Sequence, residues 1–96
     1  MDQLDKIKDE LRKMKPDLAA RFHVNSIGLF GSVVRDDFNA ESDIDIIVDF
    51  AEPIGIGFID LADLLEDALK RPVDLVSRKG VKDKYFKAIQ AEIEYV

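Results

Sequence analysis

The sequence holds no cysteine, one histidine, three prolines and five glycines in 96 residues. Each scarcity removes a class of function. Without cysteine there is no disulfide framework, no thiolate metal site and no thiol nucleophile. That agrees with a reducing compartment, and a cytoplasmic location is expected. The lone His23 has no second imidazole with which to share a metal, and beside Asn25 it reads as a surface loop residue. No apolar run approaches the ~20 residues that span a bilayer, and no apolar leader precedes a cleavage site, so no membrane association is expected. Basic charge is also in deficit, 14 Lys and Arg against 20 Asp and Glu, for a formal net charge of −6. Gripping phosphate backbones along an extended surface needs the opposite balance. Nucleic acid is therefore disfavoured as the main partner, whereas a nucleotide carried with its own Mg²⁺ is acceptable.

What is present is the make-up of a folded domain. With 47% hydrophobic and 35% charged residues, the chain has enough apolar surface for a core and too few prolines and glycines for a disordered tail. Its length suits one modest core, so a single domain over 1–96 is expected, without repeats or low-complexity tracts. Leu4, Ile7, Leu11 and Met14 recur at helical spacing and predict an amphipathic helix from Asp2 to Met14, interrupted by Pro16, with a short turn from Asp17 to Phe22 after it. "SIGLF", Ser26–Phe30, reads as a buried strand stopped by Gly31-Ser32, and "VVR" as the first turn of a short helix. In "DIDIIVDF", Ile44, Ile46 and Val48 alternate with Asp43, Asp45 and Ile47, a strand with one apolar face. A helix over Phe58–Lys70 ended by Pro72, a strand at "VDLV", a helix at "VKDKYFKAIQ" and a last short strand at "IEYV" follow. Strands alternating with helices predict a small α/β (α+β) sandwich, a short sheet with helices packed on it.

The chemistry concentrates in "FGSVVRDDFNAESDIDIIVDF". Side chains alternate across a strand, so Asp43 and Asp45 share a side, with Cα atoms about 6.5–7 Å apart, a spacing at which two carboxylates can share one hard cation. Mg²⁺ suits such a pair because it accepts one or two carboxylates and completes its shell with phosphate oxygens and water. Asp74, second in its own strand, would be the third carboxylate if that strand lay alongside in register. Three acids on neighbouring strands suit metal-assisted phosphoryl or nucleotidyl transfer. Gly31 permits close approach of the backbone to a phosphate, Ser32 adds a hydroxyl, and Arg35, Arg78 and Lys79 are available as cations for a triphosphate. Arg35 is equally a candidate ion-pair partner of Asp36, Asp37 or Glu41. The pattern is not a P-loop, since Ser32 is followed by Val33 and no Gly-Lys-Ser/Thr exists, and the Asp43–Asp49 region lacks the glycine and closing glutamate of an EF-hand.

Gly31-Ser32, ten residues, Asp43-Ile-Asp45 and a later strand aspartate together resemble the signature of the DNA polymerase β-like nucleotidyltransferases. The short length and the "RPVDLV" strand resemble the minimal nucleotidyltransferase (MNT) branch, known as the antitoxin of HEPN/MNT toxin-antitoxin pairs. The similarity runs along essentially the whole chain. It implies the small polymerase β-like nucleotidyltransferase fold, with Gly31 and Ser32 holding the phosphates of ATP and Arg35 as a phosphate or structural contact. It further implies Mg²⁺ on Asp43, Asp45 and Asp74, with Asp74 also helping to deprotonate an acceptor hydroxyl. In that family some members transfer AMP to a tyrosine of a helical HEPN ribonuclease, which makes such a toxin the expected partner, in a homo- or hetero-oligomer. Two alternatives stay open: an antitoxin that only occludes its toxin, and transfer to a small molecule such as an aminoglycoside. The apolar loop "PIGIGF" is a minor candidate for a partner contact.

Overall fold

The computed structural model describes residues 3–35 and 37–96. Its elements are α1 (Gln3–Phe22), β1 (Val24–Phe30), a 3₁₀ turn (Gly31–Val34), β2 (Ile44–Phe50), α2 (Gly57–Leu69), β3 (Val73–Ser77), α3 (Asp83–Ile89), a second 3₁₀ turn (Gln90–Glu92) and β4 (Glu94–Tyr95). The strands form one sheet in the order β3-β2-β1-β4. β1 runs antiparallel to both β2 and β4, and β2 runs parallel to β3. The expected α/β sandwich is therefore a mixed four-stranded sheet with helices packed on it.

One expectation is corrected. Pro16 does not interrupt the first helix; it lies inside α1, which continues to Phe22. A proline in a helix interior costs about 3 kcal/mol, through a lost hydrogen bond and a clash with the carbonyl four residues back. Continuing the helix buries Leu18 and Phe22 on the stripe already formed by Ile7 and Leu11, and each such side chain contributes about 1.5–3 kcal/mol. Pro16 is itself exposed, so water can reach the carbonyl it leaves without a partner. Asp2, the expected first residue of this helix, lies outside the described residues.

The core sits between α1, α2 and one face of the sheet, where Leu11, Leu18, Ile27, Leu29, Ile44, Ile46, Val48, Leu61 and Leu65 are fully buried. The other face is not purely polar, as the alternation in β2 had suggested. Ile47 points there and is buried with Phe30 and Ile89, against which Phe86, Val76 and Ile93 pack. The segment from α3 to β4 thus covers part of the second face. α2 ends on Lys70 in the left-handed region (φ 57°), its N–H donating to the carbonyl of Glu66, and Pro72 follows.

Candidate functional site

Strand register places the predicted residues. Phe30, the last residue of β1, lies opposite Asp45 of β2, and Asp45 lies opposite Asp74 of β3. Because β1 is antiparallel to β2, its C-terminal end, with Gly31-Ser32 beyond it, meets the N-terminal ends of β2 and β3, where the aspartates stand. Asp43 is exposed one residue before β2, Asp45 is half-buried, and Asp74 is exposed. The three carboxyls interact. Asp45 is pushed up to about 6, first by burial, then by the charges of Asp74 and Asp43 and by hydrogen bonding with Asp74, while Arg35 opposes the shift. Beyond burial, the crowding of Asp45 by Asp74 and Asp43 is a repulsion that a hard divalent cation would relieve. Among the described residues no three acids close around a single point. The protein supplies the Asp45–Asp74 pair with Asp43 beside it.

Gly31 abuts this pair. It adopts φ +75°, and a Cβ on it would lie 2.0 Å from Oδ2 and 3.0 Å from Cγ of Asp45. Only glycine satisfies both the backbone conformation and the contact. The turn closes with the Arg35 N–H donating to the Ser32 carbonyl at 3.0 Å. The Arg35 side chain donates from Nε to Asp37 Oδ1 at 3.3 Å and from one terminal nitrogen to both carboxylate oxygens of Glu92, at 3.3 and 3.4 Å. Asp37 first and Glu92 second hold its guanidinium above the ordinary value. Of its expected carboxylate neighbours, Asp37 is therefore a partner, while Asp36 lies outside the described residues.

The structure separates two cations that had seemed available. Arg78 and Lys79 follow the far end of β3, roughly 13 Å along the strand from Asp74 at about 3.3 Å per residue. Arg78 stacks on the Phe86 ring at 3.7 Å and pairs with Asp83 at 3.7 Å. Arg35 is the cation that remains beside the acids.

Three positioning contacts are not legible in the sequence. Glu92 Oε1 accepts the Gly31 N–H at 2.9 Å, joining residues 61 positions apart. Arg71 donates to the carbonyls of Asn39 and Ser42, both at 2.7 Å, and stacks on Phe38, which fixes the loop that delivers Asp43. Glu66 of α2 accepts the Val73 N–H at 2.8 Å and so anchors β3 one residue before Asp74. Only an acidic residue ahead of a short apolar-aromatic strand hinted at Glu92, and that signal is too common to select it.

A family profile, the nucleotidyltransferase domain, matches residues 4–96. The chain belongs to the nucleotidyltransferase domain family. This nucleotidyltransferase is 42% identical over 94 residues to the protein adenylyltransferase MntA of Thermococcus cleftensis, covering 97% of this chain and 95% of that one. It superposes on a chain of a toxin-antitoxin crystal structure with AMP-PNP at a TM-score of 0.75 and 27% identity, covering 91% of this chain and 69% of the other. A structure of the tri-AMPylated Shewanella oneidensis HEPN toxin in complex with MNT antitoxin matches at a TM-score of 0.62 and 28% identity, covering 97% and 67%. Family membership thus extends along nearly the whole chain. Among the described residues no helix is long and apolar enough to cross a membrane.

Proposed function

We propose that this nucleotidyltransferase is a Mg²⁺-dependent protein adenylyltransferase of one domain, acting in the cytoplasm as the antitoxin of a HEPN-type toxin and moving AMP from ATP to a tyrosine hydroxyl of that partner. The observation that carries the reading is the row Phe30–Asp45–Asp74 across three strands, with Gly31 against the Asp45 carboxylate. The named relatives, one an adenylyltransferase and one a complex with an AMPylated HEPN toxin, support the choice of nucleotide and acceptor. Asp45 and Asp74, with Asp43, would hold Mg²⁺, whose charge offsets that of the triphosphate and of the departing pyrophosphate when bound. Ser32 and Arg35 steady the phosphates, and Gly31 allows their approach. The tyrosine oxygen bonds to the α-phosphorus while the bond from that phosphorus to the bridging oxygen breaks. Pyrophosphate leaves, and Asp74 receives the hydroxyl proton. Incubating the protein with Mg²⁺, α-labelled ATP and host lysate tests this. Label on a discrete protein band is expected, absent with Asp43→Asn/Asp45→Asn; labelling undiminished in that variant would overturn the assigned mechanism.

Neutralisation by occlusion has one observation in its favour. Ile56 is 83% and Ile59 63% exposed, next to a groove of about 310 Å³ lined by Phe50, Pro53, Ile54 and Phe58, so an apolar patch is available to a partner whether or not transfer occurs. Under that reading Asp45→Asn leaves neutralisation intact.

A further inference from the structure

We propose that Glu92 is a positioning residue of the phosphate loop, tying the Gly31 amide and the Arg35 guanidinium to the C-terminal segment and thereby setting where both stand relative to the aspartate pair. The inference rests on the nucleotide-site reading above and deepens it. Its basis is that one carboxylate serves two members of the candidate phosphate site. Glu92 Oε1 accepts the Gly31 N–H at 2.9 Å, and both its oxygens lie within 3.4 Å of Arg35.

Geometry favours a clamp over a displaceable stand-in for phosphate. The Cα face of Gly31 is spent on the Asp45 carboxylate, since a Cβ there would lie 2.0 Å from Oδ2, and its N–H is spent on Glu92. Gly31 therefore serves by close approach, and the phosphate contacts fall to Ser32 and to the one terminal nitrogen of Arg35 that Glu92 and Asp37 do not use. The left-handed turn at Gly31 needs an external acceptor to stay closed, because an amide left unpaired in a part-buried turn costs about as much as a lost hydrogen bond. Nor is Glu92 free to swing. Ile89 before it is buried, and Ile93 after it packs so tightly on β1 that a Cβ on Gly28 would lie 2.7 Å from its Cγ2. Beyond that, the Val96 N–H donates to the Ile27 carbonyl at 3.0 Å, and Lys8 pairs with Glu94. The chain on both sides of Glu92 is therefore docked, which fixes the backbone from which its carboxylate reaches Gly31 and Arg35.

The test is calorimetric binding of Mg²⁺ with AMP-PNP to the intact chain and to Glu92→Gln, Glu92→Ala, Arg35→Ala and the Glu92→Ala/Arg35→Ala double variant. Glu92→Gln keeps an acceptor oxygen for Gly31 and loses the ion pair. Weakening of about tenfold in Glu92→Ala, about threefold in Glu92→Gln, and a double variant clearly less impaired than the product of the single effects are expected, because the two residues act as one unit. Unchanged affinity in both Glu92 variants overturns the proposal. Tighter binding overturns it too, since Glu92 would then compete with phosphate. If circular dichroism shows Glu92→Ala unfolded, Glu92→Gln decides: weaker binding supports the clamp, and equal or tighter binding refutes it. Failure of the unaltered chain to bind would overturn the nucleotide-site reading itself, and the clamp with it.

Discussion

At the scale of single residues, Asp45 and Gly31 carry opposite costs. Asp45 is pushed up to about 6 from an ordinary 3.8, by burial before all else. A carboxyl that holds its proton more tightly when folded favours the fold fully below pH 4 and loses that contribution as pH rises through about 6. Asp45→Asn removes the titration. Its thermal midpoint should therefore match that of the unaltered chain near pH 4 and exceed it at pH 7. Partial exposure screens the repulsion, which reduces the expected gain to about 1 kcal/mol, or roughly 4 °C. Melting curves across that range check the sign, and a midpoint for Asp45→Asn below that of the unaltered chain at pH 7 would contradict it. On the proposed mechanism the same variant should lose transfer, which would set stability against activity at this site. Gly31→Ala should do the reverse of stabilising. Its Cβ would meet Asp45 Oδ2 at 2.0 Å from a backbone at φ +75°, with a conformational cost of about 1–2 kcal/mol. Displacing the carboxylate from Asp74 should lower transfer about a hundredfold, the scale that a misplacement of about 1 Å can cost. Label transfer and a denaturant midpoint read the two effects separately.

Among the elements, α1 shows burial overruling local propensity. Leu18 is fully buried and Pro16, two residues earlier, is exposed. Leu18→Ala should cost about 2–5 kcal/mol, whereas Pro16→Ala should stabilise the chain by about 1–3 kcal/mol by restoring a helical hydrogen bond. Urea midpoints of the two variants should move in opposite directions. If Pro16→Ala is destabilising, the proline is supporting a bend that the packing requires. The β2–α2–β3 unit shows a second principle: parallel pairing with Asp45 opposite Asp74 depends on α2 returning the chain in the right register, and the Glu66 carboxylate at the Val73 amide is where helix and strand are stitched.

For the whole molecule, the acidic balance and the open site argue together. Net charge is −6, and three aspartates crowd one end of the sheet with Arg35 as the nearby cation. Mg²⁺ should therefore raise the melting temperature of the unaltered chain more than that of Asp43→Asn/Asp45→Asn, by mass action on the folded state. An equal shift in both would place the ion elsewhere. The second face carries the buried Phe30, Ile47 and Ile89, with half-buried Asp45 and exposed Asp74 in the row that Phe30 ends.

The helices and strands were largely legible because 3.6- and 2-residue periodicities record which side of each element meets the core. Gly31, Ser32, Asp43 and Asp45 were legible because they are near neighbours in sequence, where spacing alone constrains geometry. Asp74 could only be named as conditional on register, and the parallel pairing of β2 with β3 met the condition. Pro16 misled because a local rule carries no information about the burial of Leu18 and Phe22. Arg78 misled because nearness in sequence to a site strand does not say which end of that strand faces the site. Glu92 and Arg71 were beyond reach, since their partners lie 61 and about 30 residues away. The sequence by itself determined the elements and the acidic chemistry, as local periodicity and composition must. Only the tertiary structure decided which acids meet and what holds the loop against them, because those contacts form when distant segments share one sheet.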